Sequence, residues 1–178
     1  MALKSPRPAR RILEYTRLKY ATPKGVKAFV MRFNKDYTYT ISAAQSLEHD
    51  DTPLHNLFAR KWQERTDPLW WSVIARWNLE TNKRVVKSWA CRRLRIALVD
   101  SLKKRGYASD GSRIDGTGRE PPLIGTAQLT PELCILKTKH EDLVQQTDEA
   151  VKVIIKRQDR DGGFTNGTGI RRFGIGKR

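Results

Sequence analysis

Residues 82–105 have the sequence NKRVVKSWACRRLRIALVDSLKKR, the most regular pattern in the chain. Apolar and small residues recur there at spacings of three and four, which predicts one long amphipathic helix. The predicted buried stripe of this helix consists of Val86, Ala90, Leu94, Ala97, Leu98 and Ser101. Gly106 follows three basic residues and is well placed to end the helix, because glycine readily adopts the left-handed conformation found at helix C-termini.

Three stretches before this helix have the composition of β-strands. Residues 26–33 alternate in polarity, and residues 37–42 are β-branched and aromatic, with turn-forming residues between them. They predict a hairpin, and the alternation over 70–79 predicts a third strand. We therefore predict an α+β fold in which a small three-stranded antiparallel sheet packs on one long basic helix, with N- and C-terminal extensions.

Composition divides the chain into five segments. They are a basic N-terminal arm (1–25), a compact α+β domain (26–106), a Gly/Pro-rich linker (107–129), a C-terminal helical segment (130–158) and an Arg/Gly-rich tail (159–178). Residues 53–62 predict a short helix inside the compact domain. Thr130-Pro131-Glu132 has the composition of a helix start, and apolar spacing predicts a further helix from about residue 140 to 158.

Positive charge is concentrated in two of these regions. The formal net charge is +16; residues 1–27 hold eight basic residues and one acid, and residues 82–105 hold nine and one. Ordinary solvated helices mix acidic and basic residues to form i,i+4 pairs, and the helix over residues 82–105 does not. This imbalance favours binding of a polyanion, such as the phosphate backbone of a nucleic acid. The predicted nucleic-acid-binding residues are Arg7, Arg10, Arg11, Arg17, Lys19, Lys83, Arg84, Lys87, Arg92, Arg95, Lys103, Lys104, Arg105, Arg171, Arg172, Lys177 and Arg178.

The tryptophans are weaker indicators of function. Trp71 and Trp77 are expected in the core under the helix, and Trp89 is expected to cap that core. Trp62 and Trp70 are candidate stacking platforms for bases, although a core position is favoured for both.

Motifs for catalysis are missing from the sequence. No glycine loop ends in Gly-Lys-Ser/Thr, and no Gly-x-Ser-x-Gly elbow is present. Neither the histidines nor Cys91 and Cys134 have metal-ligand spacing, and both thiols are expected to be reduced. We expect no enzymatic activity, no metal and no cofactor. No apolar run approaches the roughly 20 residues that a membrane span needs.

Several short motifs follow one another between residues 29 and 100. They are Phe29-Val30-Met31-Arg32-Phe33-Asn34, Thr38-Tyr39-Thr40-Ile41-Ser42, Leu57-Phe58-Ala59-Arg60-Lys61-Trp62, Asp67-Pro68-Leu69-Trp70, Asn78-Leu79, Lys83, Val86, and Cys91-Arg92-Arg93-Leu94-Arg95, ending near Leu98 and Asp100. Over roughly residues 26–105 this arrangement resembles the fungal mitochondrial homologous-recombination protein family, whose members also serve as a large-subunit mitochondrial ribosomal protein. More generally, a small basic core with glycine- and arginine-rich extensions looks like a ribosomal protein.

The resemblance implies a structural role in the mitochondrial matrix. The expected function is rRNA binding in the mitochondrial ribosome, in the large subunit, with neighbouring ribosomal proteins as further partners. The resemblance also allows a DNA-binding role in mitochondrial recombination or genome maintenance. A third hypothesis is a nuclease. Phosphodiester hydrolysis usually needs a metal ion held by carboxylates, so the missing acidic metal cluster counts against this hypothesis. The acid-free first thirteen residues fit a targeting segment or a nucleic-acid-binding arm about equally well.

Overall fold

The computed structural model describes residues 12, 14–48, 55–75, 83–114 and 121–162. Within these ranges, the strands are β1 (Lys19–Tyr20), β2 (Phe29–Asn34), β3 (Leu69–Val73) and β4 (Gly125–Pro131). The helices are α1 (Ile41–Glu48), α2 (His55–Gln63), α3 (Arg84–Lys104) and α4 (His140–Gly162), with short 3-10 helices at Tyr15–Arg17 and Leu133–Leu136. None of the helices in these ranges combines the length and the apolar composition that crossing a membrane requires.

The strands that the structure describes form one four-stranded mixed sheet in the order β1-β2-β4-β3. β2 pairs antiparallel with both β1 and β4, whereas β3 runs parallel to β4. The α+β class agrees with the prediction, but the three-stranded antiparallel sheet is wrong. The parallel pair is possible because α3 lies between β3 and β4 in the chain, and parallel strands need a long crossover connection.

The predicted hairpin over residues 26–42 is also wrong. β2 corresponds to the first strand of the predicted hairpin, but its partners are β1 and β4, not residues 37–42. The backbone N–H of Thr38 instead donates to Oγ1 of Thr126 in β4 at 2.9 Å. The following residues enter α1, where Oγ1 of Thr40 accepts a hydrogen bond from the backbone N–H of Ala43 at 3.3 Å, as an N-cap does. The β-branched run therefore caps a helix and supports β4 instead of pairing with β2.

β4 is an inner strand of this sheet, although the sequence predicts a linker there followed by a helix start. All seven of its residues are buried, and three of them are threonine or glutamine. The predicted helix start at residues 130–132 is wrong, because Thr130 and Pro131 belong to the strand and the N–H of Glu132 donates to the carbonyl of Ala28 at 2.9 Å. An inner strand covered on both faces needs no alternating apolar pattern, so periodicity does not reveal it.

The two long helices confirm their sequence patterns and build the core on one face of the sheet. Gly106, with φ +75°, follows α3, and its N–H donates to the carbonyl of Lys103 at 2.9 Å, as predicted for the helix end. The buried cluster contains Phe29, Met31, Phe33, Leu69, Val73, Ala127 and Leu129 from the sheet, Ala90, Leu94, Ala97 and Leu98 from α3, and Leu143, Val151 and Ile154 from α4. Cys91 of α3 also joins this cluster.

The opposite face of the sheet is covered by aromatic packing. Trp70 is 1% exposed, and its ring centroid lies 4.6 Å from that of Tyr37 and 5.2 Å from that of Trp62 in α2. The guanidinium of Arg65 lies 5.4 Å and 5.1 Å from the rings of Trp62 and Trp70. Trp70 therefore takes the core position favoured from sequence, and Trp62 is half-buried against it.

Candidate nucleic-acid interface

One side of α3 carries a stripe of exposed basic side chains. The exposed members of the predicted set on and beside this helix are Lys83, Arg84, Arg92, Arg95, Lys103 and Lys104. Lys87 is half-buried. At about 100° of rotation per residue, Arg84, Arg92, Arg95 and Lys103 fall within about 100° of arc around the helix axis. The helix therefore presents these four cations in one direction, along most of its length.

This positive charge is not neutralised locally. In the part of the chain that the structure describes, Arg84, Arg92 and Lys103 take part in no ion pair. The one acid within α3, Asp100, lies 3.5 Å from Nε2 of His140 on the flank that faces α4. Like charges along one helix side repel each other, and a bound polyanion relieves that repulsion.

Arg95 combines exposure with a structural contact. Its Nη2 donates to the carbonyl of Val73 at the end of β3, at 3.3 Å. The contact directs this guanidinium toward the β3 side of the stripe, and four donors of the planar group remain for other acceptors.

Arg105, although predicted as a nucleic-acid contact, is placed between the two long helices. Its Nε and Nη2 donate to the two carboxylate oxygens of Asp148 in α4 at 2.6 and 2.9 Å. This hydrogen bonding lowers the pKa of the Asp148 carboxyl and raises the pKa of the Arg105 guanidinium. Arg105 therefore joins α3 to α4, and its charge is neutralised inside the protein.

Arg93 and Trp89 form a unit on α3 that the predicted site does not include. The guanidinium of Arg93 lies 4.7 Å from the ring centroid of Trp89 and donates to the carbonyls of Ile135 and Thr138 at 3.0 and 2.7 Å. Trp89 is 44% exposed, so it does not take the expected position as a cap on the core. Their spacing of four residues is the sequence signal that places both on one side of the helix.

A second basic group lies at the end of the sheet near β1. The predicted residues Arg17 and Lys19 line an open cavity of about 640 Å³ together with Lys35, which sequence reasoning did not select. Tyr37 and Ile124 contribute apolar surface to the same cavity. The fold thus brings two predicted cations and a third one to one place, because β1 pairs with the end of β2.

The remaining predicted contacts lie outside the described residues. They are Arg7, Arg10 and Arg11 in the N-terminal arm and Arg171, Arg172, Lys177 and Arg178 in the tail.

Metal-binding side chains are not clustered in the described part of the chain. Among those residues, no group of three or more His, Cys, Asp or Glu side chains is arranged to hold a metal ion. Both cysteines are free, and burial raises the pKa of the Cys91 thiol, which favours its uncharged form.

Comparison with known proteins identifies no relative of this chain. No protein-family model, no curated protein and no solved structure matches this chain.

Proposed function

We propose that this protein is a structural rRNA-binding protein of the mitochondrial ribosome, located in the large subunit. The observation that carries the proposal is the exposed stripe of Arg84, Arg92, Arg95 and Lys103 on α3. The mitochondrial and ribosomal part of the proposal rests on the family resemblance over residues 26–105. The protein acts without turnover, by neutralising phosphates and fitting the shape of folded RNA.

Binding through α3 requires that the helix be held rigidly, and its contacts with α4 supply that rigidity. Beside the Arg105–Asp148 pair, the hydroxyls of Ser101 and Thr147 share a buried hydrogen bond of 2.6 Å. Thr147 Oγ1 also bonds to the carbonyl of Ala97, at 3.1 Å. A helix fixed in this way presents its cations to phosphates without a large loss of conformational freedom on binding.

The second basic group gives the protein a further contact with the same RNA. Arg17, Lys19 and Lys35 around the cavity near β1 meet phosphates of another rRNA segment. The arm and the tail, with Arg7, Arg10, Arg11, Arg171, Arg172, Lys177 and Arg178, bind additional rRNA or neighbouring ribosomal proteins. The arm and the tail are rich in basic residues and poor in large apolar ones, a composition that suits RNA-binding extensions.

Sedimentation of the tagged full-length protein from mitochondrial lysate tests this function directly. We expect co-migration with the large ribosomal subunit on a sucrose gradient, and we expect it to persist at raised salt because an integral component is also held by shape. A peak at the top of the gradient or with the nucleoids contradicts the ribosomal assignment. In that case, binding to DNA in genome maintenance becomes the leading function, through the same helix.

A further inference from the structure

Trp89 is the most exposed tryptophan that the structure describes. It is 44% exposed, whereas Trp70 is 1% exposed and Trp62 and Trp71 are half-buried. An exposed indole loses favourable burial, and its position on the outward side of α3 requires another explanation. The residue lies among cations that the proposed function assigns to phosphate binding.

The orientation of the Trp89 ring is set from behind by Arg93. The guanidinium lies 4.7 Å from the ring centroid and is itself fixed by two backbone carbonyls, those of Ile135 and Thr138. A cation held against an aromatic ring attracts it through the ring quadrupole. The ring is therefore ordered before any ligand arrives, which reduces the entropy lost when a flat ligand stacks on it.

The surroundings of Trp89 combine apolar surface with positive charge. Val85, one turn before it, is 79% exposed, and Ile96, two turns after it, is 46% exposed. Arg92 lies beside them on the same side, exposed and without an ion pair among the described residues. Flat apolar surface next to phosphate-binding cations is the combination that proteins use to bind single-stranded nucleic acid.

We propose that Trp89 is a stacking platform for an unpaired nucleobase of single-stranded RNA. Arg92 meets a phosphate beside that base, and Val85 and Ile96 contact its sugar and the neighbouring base. Bases inside a duplex are stacked on each other, so only a loop, bulge or single strand offers a free face. This inference rests on the proposed function and deepens it, because it names unpaired RNA as the ligand of α3.

The charge on this surface is the reason to choose RNA over a protein as its occupant. Arg92 and Arg93 flank the exposed apolar residues, and the one acid of α3 is turned toward His140. A phosphodiester chain matches both the positive charge and the flat aromatic surface. A protein helix with an apolar stripe is the competing occupant, and it is an outcome of the test below.

The test measures binding of the full-length protein to labelled RNA by fluorescence anisotropy. The ligands are an oligouridine of about twelve nucleotides and a duplex of the same length, since single-strand sites span about 4–16 nucleotides. We expect Trp89→Ala to weaken binding of the single strand about tenfold and binding of the duplex less than twofold, with the salt dependence unchanged. Trp89→Phe retains most of the affinity because it keeps an aromatic face.

Controls separate stacking from general apolar contact and from misfolding. Trp89→Leu keeps apolar volume but lacks a π-face, so we expect it to behave as Trp89→Ala does, and thermal unfolding verifies that both variants fold. Leu57→Ala is the matched control, since Leu57 on α2 is an exposed apolar residue (61% exposed) outside this surface, and we expect it to leave the affinity unchanged. A 2-aminopurine placed in the single strand is expected to lose fluorescence on binding wild type and not on binding Trp89→Leu.

Other results would overturn the inference. Equal single-strand affinity of wild type and Trp89→Leu, with Arg92→Gln still weakening binding, removes the stacking role and leaves the proposed function standing. Loss of a ribosomal protein partner in Trp89→Leu and Ile96→Ala, without a change in RNA affinity, assigns the surface to a protein. Failure of the wild type to bind either RNA removes the proposed function together with the inference.

Discussion

Arg105 at the end of α3 and Asp148 in α4 form a two-point ion pair, with Nε–Oδ1 and Nη2–Oδ2 distances of 2.6 and 2.9 Å. Side-chain exposure is 26% for the arginine and 14% for the aspartate, so solvent screens the pair only in part. Lys152 also lies 3.6 Å from Oδ2 of the same carboxylate. The ion pair therefore joins α3, which presents the basic stripe, to α4. Protonation of the Asp148 carboxylate in acid removes this ion pair.

Replacing Asp148 by Asn is expected to lower the free energy of unfolding by about 1.5–3 kcal/mol at neutral pH, as is typical of hydrogen bonds to charged groups. The pKa of the Asp148 carboxyl is lowered in the folded protein, chiefly by the hydrogen bonds from Arg105. The stabilisation that the Asp148 carboxylate gives the folded protein is therefore fully present above the pKa of about 3.9 that aspartate has in the unfolded chain. This stabilisation is lost as the pH falls through the lower pKa that Asp148 has in the folded protein.

Urea unfolding between neutral pH and acid checks this prediction. The difference between wild type and Asp148→Asn should shrink below about pH 4. Glu149→Gln is the matched control, since Glu149 is 51% exposed in its pair with Lys152, and we expect it to cost less than about 1 kcal/mol. A difference that stays constant throughout the acid range contradicts the assignment.

Gly125→Ala is expected to destabilise the protein by at least about 3 kcal/mol. Gly125 has φ +119°, and an added Cβ would lie 2.4 Å from the carbonyl oxygen of Asn34 and 3.0 Å from the backbone of Lys35. Gly25→Ala is the matched control, because Gly25 has φ +92° but no atom within 4 Å of the added Cβ. It should show only the conformational penalty of about 1–2 kcal/mol. Urea midpoints in the reverse order would contradict this account of β4.

Gln128→Met is expected to raise the free energy of unfolding by about 1–2 kcal/mol. Gln128 in β4 is 1% exposed, and neither its Oε1 nor its Nε2 has a hydrogen-bond partner among the residues that the structure describes. Thr126→Val, on the same side of the same strand, should instead destabilise, because Thr126 Oγ1 accepts from the N–H of Thr38 at 2.9 Å. Thermal unfolding of both variants checks the opposite signs, and a loss of stability in Gln128→Met would show that its amide is satisfied in the folded protein.

Removing the charges of Arg84, Arg92 and Lys103 is expected to flatten the salt dependence of RNA binding. Each lost phosphate contact should reduce the slope of log K against log salt by about 0.7 for a single strand and about 0.9 for a duplex. The triple change to Gln is compared with Lys137, Lys139 and Lys156 changed to Gln, which removes the same charge from exposed positions elsewhere. Equal slopes in the two triple variants would take α3 out of the interface.

The exposed part of the candidate site follows closely from sequence, and its connections do not. The 3.6-residue period places Arg84, Arg92 and Lys103 outside the predicted apolar stripe, and the structure leaves all three exposed. The period cannot tell a cation facing solvent from one facing another element. Arg105 pairs with α4, and Arg93 bonds to the carbonyls near α4, because distant segments bring acceptors to them.

By itself, the sequence determined the two long helices, the glycine that ends α3, and the position of the positive charge, because these depend on residues within a few turns of one another. Only the tertiary structure decided the strand order, the parallel pairing of β3 with β4, and the burial of β4. The seven residues of β4 have little apolar pattern, and its Thr126 is satisfied by Thr38 from a distant part of the chain. A buried polar strand is stable only when such hydrogen-bond partners are in place. The local sequence of the strand does not specify which distant residues supply them.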